Sequence, residues 1–189
     1  MRIDNKQIWF TADFHFGHKK IIEYCTRPFE SVVEMNNALI KNYNKVVGKN
    51  DIVYILGDLS WLNRKSTTQI IKNLNGFKFL VKGNHDFKGN QYYRNMGFVE
   101  VYDRPIIIHN NIILSHKPIL INQLKSSPFM NIHGHMHNNE LINEINDEKH
   151  YCVSVECTNY KPVSLLDLNI IPCTSSIEDL NIISESAGW

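Results

Sequence analysis

The sequence has few cysteines and no long apolar run. Its four cysteines include no C-x-x-C pair and are too sparse for a disulfide scaffold, so we expect buried or free thiols in a reducing compartment. No apolar stretch approaches the ~20 residues of a membrane span, and the first residues do not resemble a signal peptide. We therefore expect a cytoplasmic protein that does not enter a membrane.

The sequence also lacks a surplus of either charge. Its 20 Lys and Arg residues against 19 Asp and Glu residues give a formal net charge of +1. This balance excludes a strongly basic nucleic-acid arm and an acidic tail. No internal repeat, low-complexity tract or flexible linker divides the chain. A length of 189 residues with a hydrophobic fraction of 43% suits one packed domain over residues 1–189.

Short runs of β-branched and aromatic residues alternate with helical patterns in the first half of the chain. Apolar residues at helical spacing over Ser31–Val47, opened by a capping box of Ser31 and Glu34, predict the longest helix. Similar patterns predict helices over Ser66–Asn75, capped by Ser66, and over His18–Tyr24. The strands are predicted over Gln7–Ala12, Ile52–Leu56, Phe77–Val81, Phe98–Tyr102, Pro105–His109, Ile112–Ser115, Met130–His133 and Tyr151–Val155.

The order of these elements predicts an α/β fold. Alternation of strands and helices in the first half predicts a sheet with covering helices, and the strand-rich second half predicts a second sheet packed on the first. We therefore expect two packed β-sheets flanked by helices. The polar last stretch, residues 174–189, is compatible with a short helix or a short strand.

Histidine is the compositional excess, with nine residues, and several of them fall in five polar clusters that each follow a predicted strand. Ligands of open α/β sheets bind at the carboxyl ends of the strands, so we expect these clusters to lie together. Three of the clusters begin with a glycine directly before a candidate ligand, where it allows a positive φ and a close approach of the backbone. The clusters are Asp13-x-His15, Gly57-Asp58, Gly83-Asn84-His85-Asp86, His116 and Gly134-His135-x-His137.

The chemistry of these side chains predicts two metal ions. Carboxylates, imidazoles and one amide without thiolates disfavour structural zinc and iron–sulfur sites, and they suit catalytic Mn, Fe, Zn, Ni or Co. Seven candidate ligands are too many for one transition-metal ion but suit two, with one carboxylate between them. The candidates are Asp13, His15, Asp58, Asn84, His116, His135 and His137.

The order D-x-H, G-D, G-N-H-D, H and G-H-x-H resembles the calcineurin-like metallophosphoesterase superfamily. The resemblance implies two packed β-sheets with helices on the outer faces, and hydrolysis of phosphate esters by a hydroxide held between two divalent metal ions. We favour Mn²⁺ as the working metal. The resemblance implies that Asp13, His15 and His137 bind one metal, that Asn84, His116 and His135 bind the other, and that Asp58 bridges the two.

The resemblance also implies catalytic and substrate-binding residues. His85 would lie beside the metals and donate to the phosphate or protonate the leaving oxygen, with Asp86 orienting it. The stretch Asp13–His18, followed by Arg27-Pro28-Phe29, resembles small bacterial and phage members of the superfamily. We therefore predict His18 and Arg27 as substrate contacts. The alternatives are an outer-shell role for His18 and a surface salt bridge for Arg27.

Four further side chains carry weaker predictions. Trp61 either stacks on a base or, as is commoner, covers core. His133 precedes the last cluster and is predicted to be structural, whereas His109 and His150 are predicted to lie at the surface.

The predicted activity is hydrolysis of a phosphodiester, or also a phosphomonoester, of a small or nucleotide-type substrate. Residues Gly57–Asn63 lack the extended motif of protein Ser/Thr phosphatases, which disfavours a phosphoprotein substrate. One alternative is a binding or scaffold protein of this fold that has lost catalysis. Another is a nuclease for single-stranded nucleic acid, although no basic stripe interleaved with aromatic residues is present. A homodimer is left open.

Overall fold

The structure is a computed structural model that describes residues 6–109, 111–119, 130–138 and 149–168. The prediction for residues 174–189 lies outside these ranges. Within them, no helix combines the length and the apolar character that crossing a membrane requires. The elements in chain order are β1 (Ile8–Thr11), α1 (Lys20–Tyr24), α2 (Val32–Val46), β2 (Ile52–Ile55), α3 (Arg64–Asn73), β3 (Phe77–Val81), α4 (Asn90–Arg94), β4 (Glu100–Tyr102), β5 (Ile106–Ile108), β6 (Ile112–Ser115), β7 (Met130–His133), β8 (His150–Cys152) and β9 (Val163–Ser164).

The strands form two sheets, as predicted. The first sheet has the order β4-β3-β2-β1-β9, in which β1 to β4 are parallel and β9 is antiparallel to β1. The second sheet has the order β5-β6-β7-β8, in which β6, β7 and β8 are parallel and β5 is antiparallel. The return of β9 to the first sheet was not predicted, because a strand of two residues has no readable alternation.

Two layers of core lie on the two faces of the first sheet. Successive side chains of a strand point to opposite faces. In β2 and the residue after it, Val53 and Ile55 therefore belong to the core beneath the helices, whereas Tyr54 and Leu56 belong to the core between the sheets. The helices contribute Ile21, Leu39, Ile71 and Tyr93 to the first of these cores. The described helices thus cover the outer face of the first sheet.

Side-chain caps begin the two longer helices. The Ser31 Oγ accepts a hydrogen bond from the Glu34 N–H at 3.1 Å at the start of α2, as predicted. The prediction that Ser66 caps α3 is wrong. Asn63 caps this helix instead, because its Oδ1 accepts from the Ser66 N–H at 3.0 Å and the helix begins at Arg64. The short helix α4 was not predicted.

The two sheets place their strand ends beside one another. The parallel strands β1, β2 and β3 end at one edge of the first sheet, and β6 and β7 end at one edge of the second. A parallel bridge between Ala12 and Ser154, which follow β1 and β8, joins the two edges. All five polar clusters follow strands that end here.

Candidate metal centre

The carboxylate of Asp58 lies between the two predicted groups of ligands. Its Oδ2 is 3.6 Å from the His15 Nε2, and its Oδ1 is 3.7 Å from the His116 Nε2. Asp58 is 3% exposed and therefore almost fully buried. One oxygen thus faces each side, which is an arrangement that allows this carboxylate to bridge two metal ions.

Among the described residues, three groups of side chains could hold a metal ion; one is Cys25, His137 and Glu156, and the other two consist of predicted ligands. Asp13, His15 and His137 offer ligand atoms within 4.8 Å of one another, and so do Asp13, Asp58 and His116. The first of these two is the predicted first site. The other group combines Asp13 with Asp58, the predicted bridging residue, so the carboxylate of either aspartate could contact two ions.

The remaining predicted ligands surround His116. Its Nε2 lies 2.9 Å from the Asn84 Oδ1 and 3.1 Å from the His135 Nδ1. Its Nδ1 lies 2.9 Å from the carbonyl oxygen of Leu56, and a carbonyl can only accept, so Nδ1 carries the proton. The Nε2 is then the lone-pair atom that can bind a metal ion. The structure therefore brings all seven candidate ligands together.

Buried polar atoms without partners show that a cation fits this place. The Oδ2 of Asp13 accepts from the His135 N–H at 2.8 Å and from the Ser154 hydroxyl at 2.7 Å. Among the described residues, the Asp13 Oδ1 and both ring nitrogens of His15 have no hydrogen-bond partner. A buried polar atom without a partner costs about 1–3 kcal/mol. A bound cation would remove that cost, so this donor set fits a metal centre.

Burial shifts the ionisation of the candidate ligands. It raises the pKa of Asp13 to about 6 against the opposing charges of His137 and His116. Burial lowers the pKa of His15 to about 2 and that of His135 to about 4. These two imidazoles are therefore neutral at pH 7, which is the form that binds metal ions.

Five of the candidate ligands have a left-handed backbone. A positive φ in a residue other than glycine costs about 1–3 kcal/mol, and such residues cluster at functional sites. The turns that hold this conformation are tied together, since the His15 N–H donates to the Asp58 carbonyl at 3.0 Å. The φ values are 59° for Asp13, 50° for His15, 54° for Asp58, 71° for His135 and 51° for His137.

Two of the glycines in the strand-exit turns meet different requirements, one of backbone conformation and one of space. Gly57 has a positive φ of 88°. Gly83 has no positive φ, but a Cβ there would overlap the Asp58 Oδ1. The strand-exit turns therefore need glycine for backbone conformation at Gly57 and for close approach at Gly83.

His85 and Asp86 occupy different environments. The His85 imidazole is 45% exposed, and its Nε2 lies 3.8 Å from the Asp58 Oδ2, beside the candidate ligands. The prediction that Asp86 orients this imidazole is wrong. The buried Asp86 carboxylate instead accepts backbone N–H groups from Asp58 at 2.7 Å, Gly83 at 2.9 Å and Leu59 at 3.2 Å. Asp86 is therefore a positioning residue that fixes the two turns holding Asp58 and His85.

Arg27 does not face the site, which corrects its prediction as a substrate contact. The side chain is 4% exposed, and its Nη1 and Nη2 donate to the carbonyl oxygens of Phe14 at 2.9 Å and Asp13 at 2.8 Å. The Arg27 Nε donates to the Glu156 Oε1 at 2.8 Å. Because the guanidinium nitrogens of Arg27 all donate to buried partners, the alternative prediction, a salt bridge at the surface, is wrong as well.

Glu156 was missed by the sequence analysis. Its Oε1 lies 3.0 Å from the His137 Nδ1, and a carboxylate can only accept, so Nδ1 carries the proton and Nε2 is left for a metal. Burial lowers the pKa of His137, but hydrogen bonds with Cys25 and Glu156 and the charges of Asp13 and Glu156 outweigh it and raise that pKa to about 11. Unlike His15 and His135, His137 is therefore protonated at pH 7 without a metal ion, and a metal would have to displace the proton on Nε2. Because Glu156 directly follows the predicted strand Tyr151–Val155, its position after a strand was the available signal.

Glu156→Gln is expected to weaken metal binding about 10–100-fold, the usual effect of changing the partner of a metal-binding histidine. Glutamine keeps the shape but loses the charge that holds His137 and Arg27. Equilibrium dialysis with elemental analysis over a series of Mn²⁺ concentrations measures the change. Glu100→Gln is the matched control, because Glu100 pairs with Arg94 at the surface, where its side chain is 36% exposed. Equal metal affinities for the two variants would contradict this role.

The other predicted side chains have mixed outcomes. His18 lies beside the site, with its ring 5.6 Å from the His15 ring. His133 is buried, with its Nδ1 2.9 Å from the Gly134 carbonyl oxygen, in keeping with a structural role. His109 and His150 are 7% and 5% exposed, so the prediction that they are surface residues is wrong. Both follow or begin short strands whose inward face could not be told from the sequence.

Trp61 does not cover core. It is 53% exposed, and its ring stacks on His18 at 4.4 Å between centroids with 13° between the planes. It lines an open groove of about 660 Å³, together with candidate ligands such as His15 and Asp58 and with the surface residues Lys20 and Tyr24. We call this the metal groove. It gives substrates access to the candidate metal centre.

A buried cluster of carboxylates and imidazoles between two sheets is typical of two-metal hydrolases. Residues 6–165 match the family model described as calcineurin-like phosphoesterase, so the chain belongs to that family of metallophosphoesterases. It is 41% identical over 170 residues to uncharacterized protein MJ1445 of Methanocaldococcus jannaschii, covering 85% of this chain and 88% of the other.

Two further similarities extend the comparison. The Gene 66 protein of Mycobacterium phage D29 is 27% identical over 158 residues, covering 69% of this chain and 78% of its own. The crystal structure of the protein of unknown function AQ665 from Aquifex aeolicus matches with a TM-score of 0.71 and 30% identity. It covers 87% of this chain and 98% of its own. The fold predicted from the motif order is therefore confirmed.

Proposed function

We propose that this chain is a dinuclear metal-dependent phosphoesterase of the cytoplasm that hydrolyses phosphodiesters, and also phosphomonoesters, of small or nucleotide-type substrates. The observation that supports it best is the position of the Asp58 carboxylate, with one oxygen toward His15 and the other toward His116. The supporting comparison is membership of a phosphoesterase family.

The seven candidate ligands would hold the two ions, and Mn²⁺ suits their mixed nitrogen and oxygen donors. When bound, two divalent ions neutralise negative charge on a phosphate and make water a stronger nucleophile. The protein supplies the rest. The carboxylates of Asp13 and Asp58 lie in the buried part of the site. Their electrostatic attraction for a cation is strongest there, because water screens it least.

His85 is suited to serve the leaving group. Its imidazole is half-exposed at the metal groove and belongs to no candidate metal group among the described residues. The backbone N–H of His85 donates to the Asp58 Oδ1 at 3.0 Å, which fixes the turn. Histidine is the commonest general acid in enzymes, and the imidazole of His85 could give a proton to the departing oxygen.

The test is hydrolysis of bis-p-nitrophenyl phosphate and of p-nitrophenyl phosphate with and without added Mn²⁺. We expect release of p-nitrophenolate from the diester that requires the metal and stops when a chelator removes it. Elemental analysis in parallel should give two ions per chain. No metal-dependent turnover of either ester, with fewer than two ions bound, would instead support a scaffold protein.

A nuclease for single-stranded nucleic acid is the second candidate. Lys20, Tyr24 and Trp61 all line the metal groove, and a cation with exposed aromatic rings is the combination that single strands contact. Cleavage of a labelled single-stranded DNA oligonucleotide would favour this function. Turnover of only dinucleotides and small esters would favour the first.

A further inference from the structure

We propose that a cavity next to the metal groove is a binding subsite for the nucleobase of a nucleotide substrate, with Trp61 as its stacking platform. The inference rests on the proposed phosphoesterase activity and names the substrate class that this site takes. Three observations support it: the place of the cavity, the exposure and support of Trp61, and the chemistry of the cavity wall.

The cavity adjoins the candidate metal centre. Its volume is about 210 Å³, room for about seven water molecules. Trp61 and His85 line both this cavity and the metal groove, so the two spaces meet at these side chains. A phosphate held in the metal groove, with its leaving oxygen at His85, would direct the rest of the leaving group into the cavity. We call this cavity the base subsite.

Exposed aromatic rings surround the base subsite. Trp61 is 53% and Phe87 is 78% exposed, although large aromatic side chains gain most from burial. The Lys88 Nζ lies over the Phe87 ring, 4.7 Å from its centroid. Leu59 and Met96, both buried, contribute apolar surface to the lining. A planar ring that entered here would bury apolar surface on both partners.

Trp61 is held in place before any ligand binds. The His18 ring stacks on the indole, and the backbone N–H of Trp61 donates to the Phe16 carbonyl at 2.8 Å, which fixes the main chain that carries the ring. A side chain that is already ordered loses little conformational entropy on binding. This explains how His18, which lies beside the site without belonging to a candidate metal group, could serve substrate binding.

Three polar groups of the wall, those of Ser60, Thr67 and Asp86, are already engaged. The Ser60 hydroxyl lies 2.9 Å from the Thr67 hydroxyl and accepts from the Leu62 N–H at 3.1 Å. The Asp86 carboxylate accepts from backbone N–H groups. These three groups are therefore not free for the edges of a base, and recognition would come mainly from the faces of the rings. Stacking tolerates any base, so we expect purines and pyrimidines to bind alike.

The test compares two ligands that differ only in the base. They are phosphonate analogues of adenosine 5′-monophosphate and ribose 5-phosphate, in which a methylene group replaces the ester oxygen and prevents hydrolysis. Isothermal titration of the Mn²⁺-loaded protein gives both dissociation constants. We expect the adenosine analogue to bind about tenfold or more tightly than the ribose analogue, as stacking on one aromatic ring allows.

Variants of Trp61 decide whether this preference comes from the base subsite. Trp61→Ala should reduce it to about twofold or less, and Trp61→Phe should keep most of it because the aromatic face remains. Phe77→Ala is the control, because Phe77 is an exposed aromatic residue, 47% exposed, outside both spaces. Equal affinities in the unchanged protein, no binding of either analogue, or a preference that survives in Trp61→Ala would each overturn the proposal. Because binding is measured without turnover, a failure of the phosphoesterase proposal shows separately in the bis-p-nitrophenyl phosphate assay.

Discussion

Asp58→Asn is expected to reduce Mn²⁺-dependent hydrolysis of bis-p-nitrophenyl phosphate by about 10²- to 10⁴-fold. The reason is the burial of this carboxylate, which is 3% exposed and faces candidate ligands on both sides. Removing one partner of a buried charge pair costs about 3–5 kcal/mol. A loss of that size in the binding of metal ions that stabilise the transition state would lower the rate tenfold for each ~1.4 kcal/mol. Asparagine keeps the size of the side chain, so the loss reports the charge.

The measurement combines kcat/KM with the metal content of the purified variant. We expect fewer than two ions per chain, since neither side keeps its shared carboxylate. Asp103→Asn is the matched control. Asp103 is also an aspartate in an ion pair, with Lys82, but the Asp103 side chain is 58% exposed. If Asp58→Asn retained both ions and full activity, Asp58 would not bridge the metals.

His85→Asn is expected to reduce kcat by about 10²- to 10⁴-fold, the usual contribution of a general acid. Unlike Asp58→Asn, it should leave two ions per chain, because the His85 imidazole belongs to none of the candidate groups of ligands in the described part of the chain. Steady-state kinetics together with elemental analysis separate these two effects.

The nature of the leaving group provides a control within the same variant. A dinucleotide has a sugar alkoxide as its leaving group, which needs a proton more than p-nitrophenolate does. The loss in His85→Asn should therefore be larger with the dinucleotide than with bis-p-nitrophenyl phosphate. Equal losses with both substrates would assign His85 to phosphate binding rather than to proton transfer.

The metal centre could be predicted because its residues follow strands. The apolar runs that end before Asp13, Asp58 and His116 are short and clear, and parallel strands bring their carboxyl ends to one edge. That logic needs only the position of each residue along the chain. It holds for all seven candidate ligands, which the structure brings together. Their action as ligands stays a prediction.

The contacts that support the site from behind could not be predicted, because they depend on the direction in which each side chain points. Asp86 lies one residue from His85 in the chain, yet its carboxylate turns toward the backbone of Asp58. Arg27 turns inward toward Glu156, a residue 129 positions away. No periodicity relates such pairs. A side chain near the site in sequence can therefore support the site from behind instead of facing the substrate.

Distance along the chain has a consequence for biosynthesis. The Asp13 carboxylate accepts hydrogen bonds from His135 and Ser154, which follow it by 122 and 141 residues. At a synthesis rate of about 5–20 residues per second, about 6–24 s pass between the translation of Asp13 and that of His135. In the later part of this interval the nascent chain has the Asp13 and Asp58 carboxylates without His135 and His137. A metal centre that needs His135 and His137 could therefore be completed only after β7 of the second sheet has been translated.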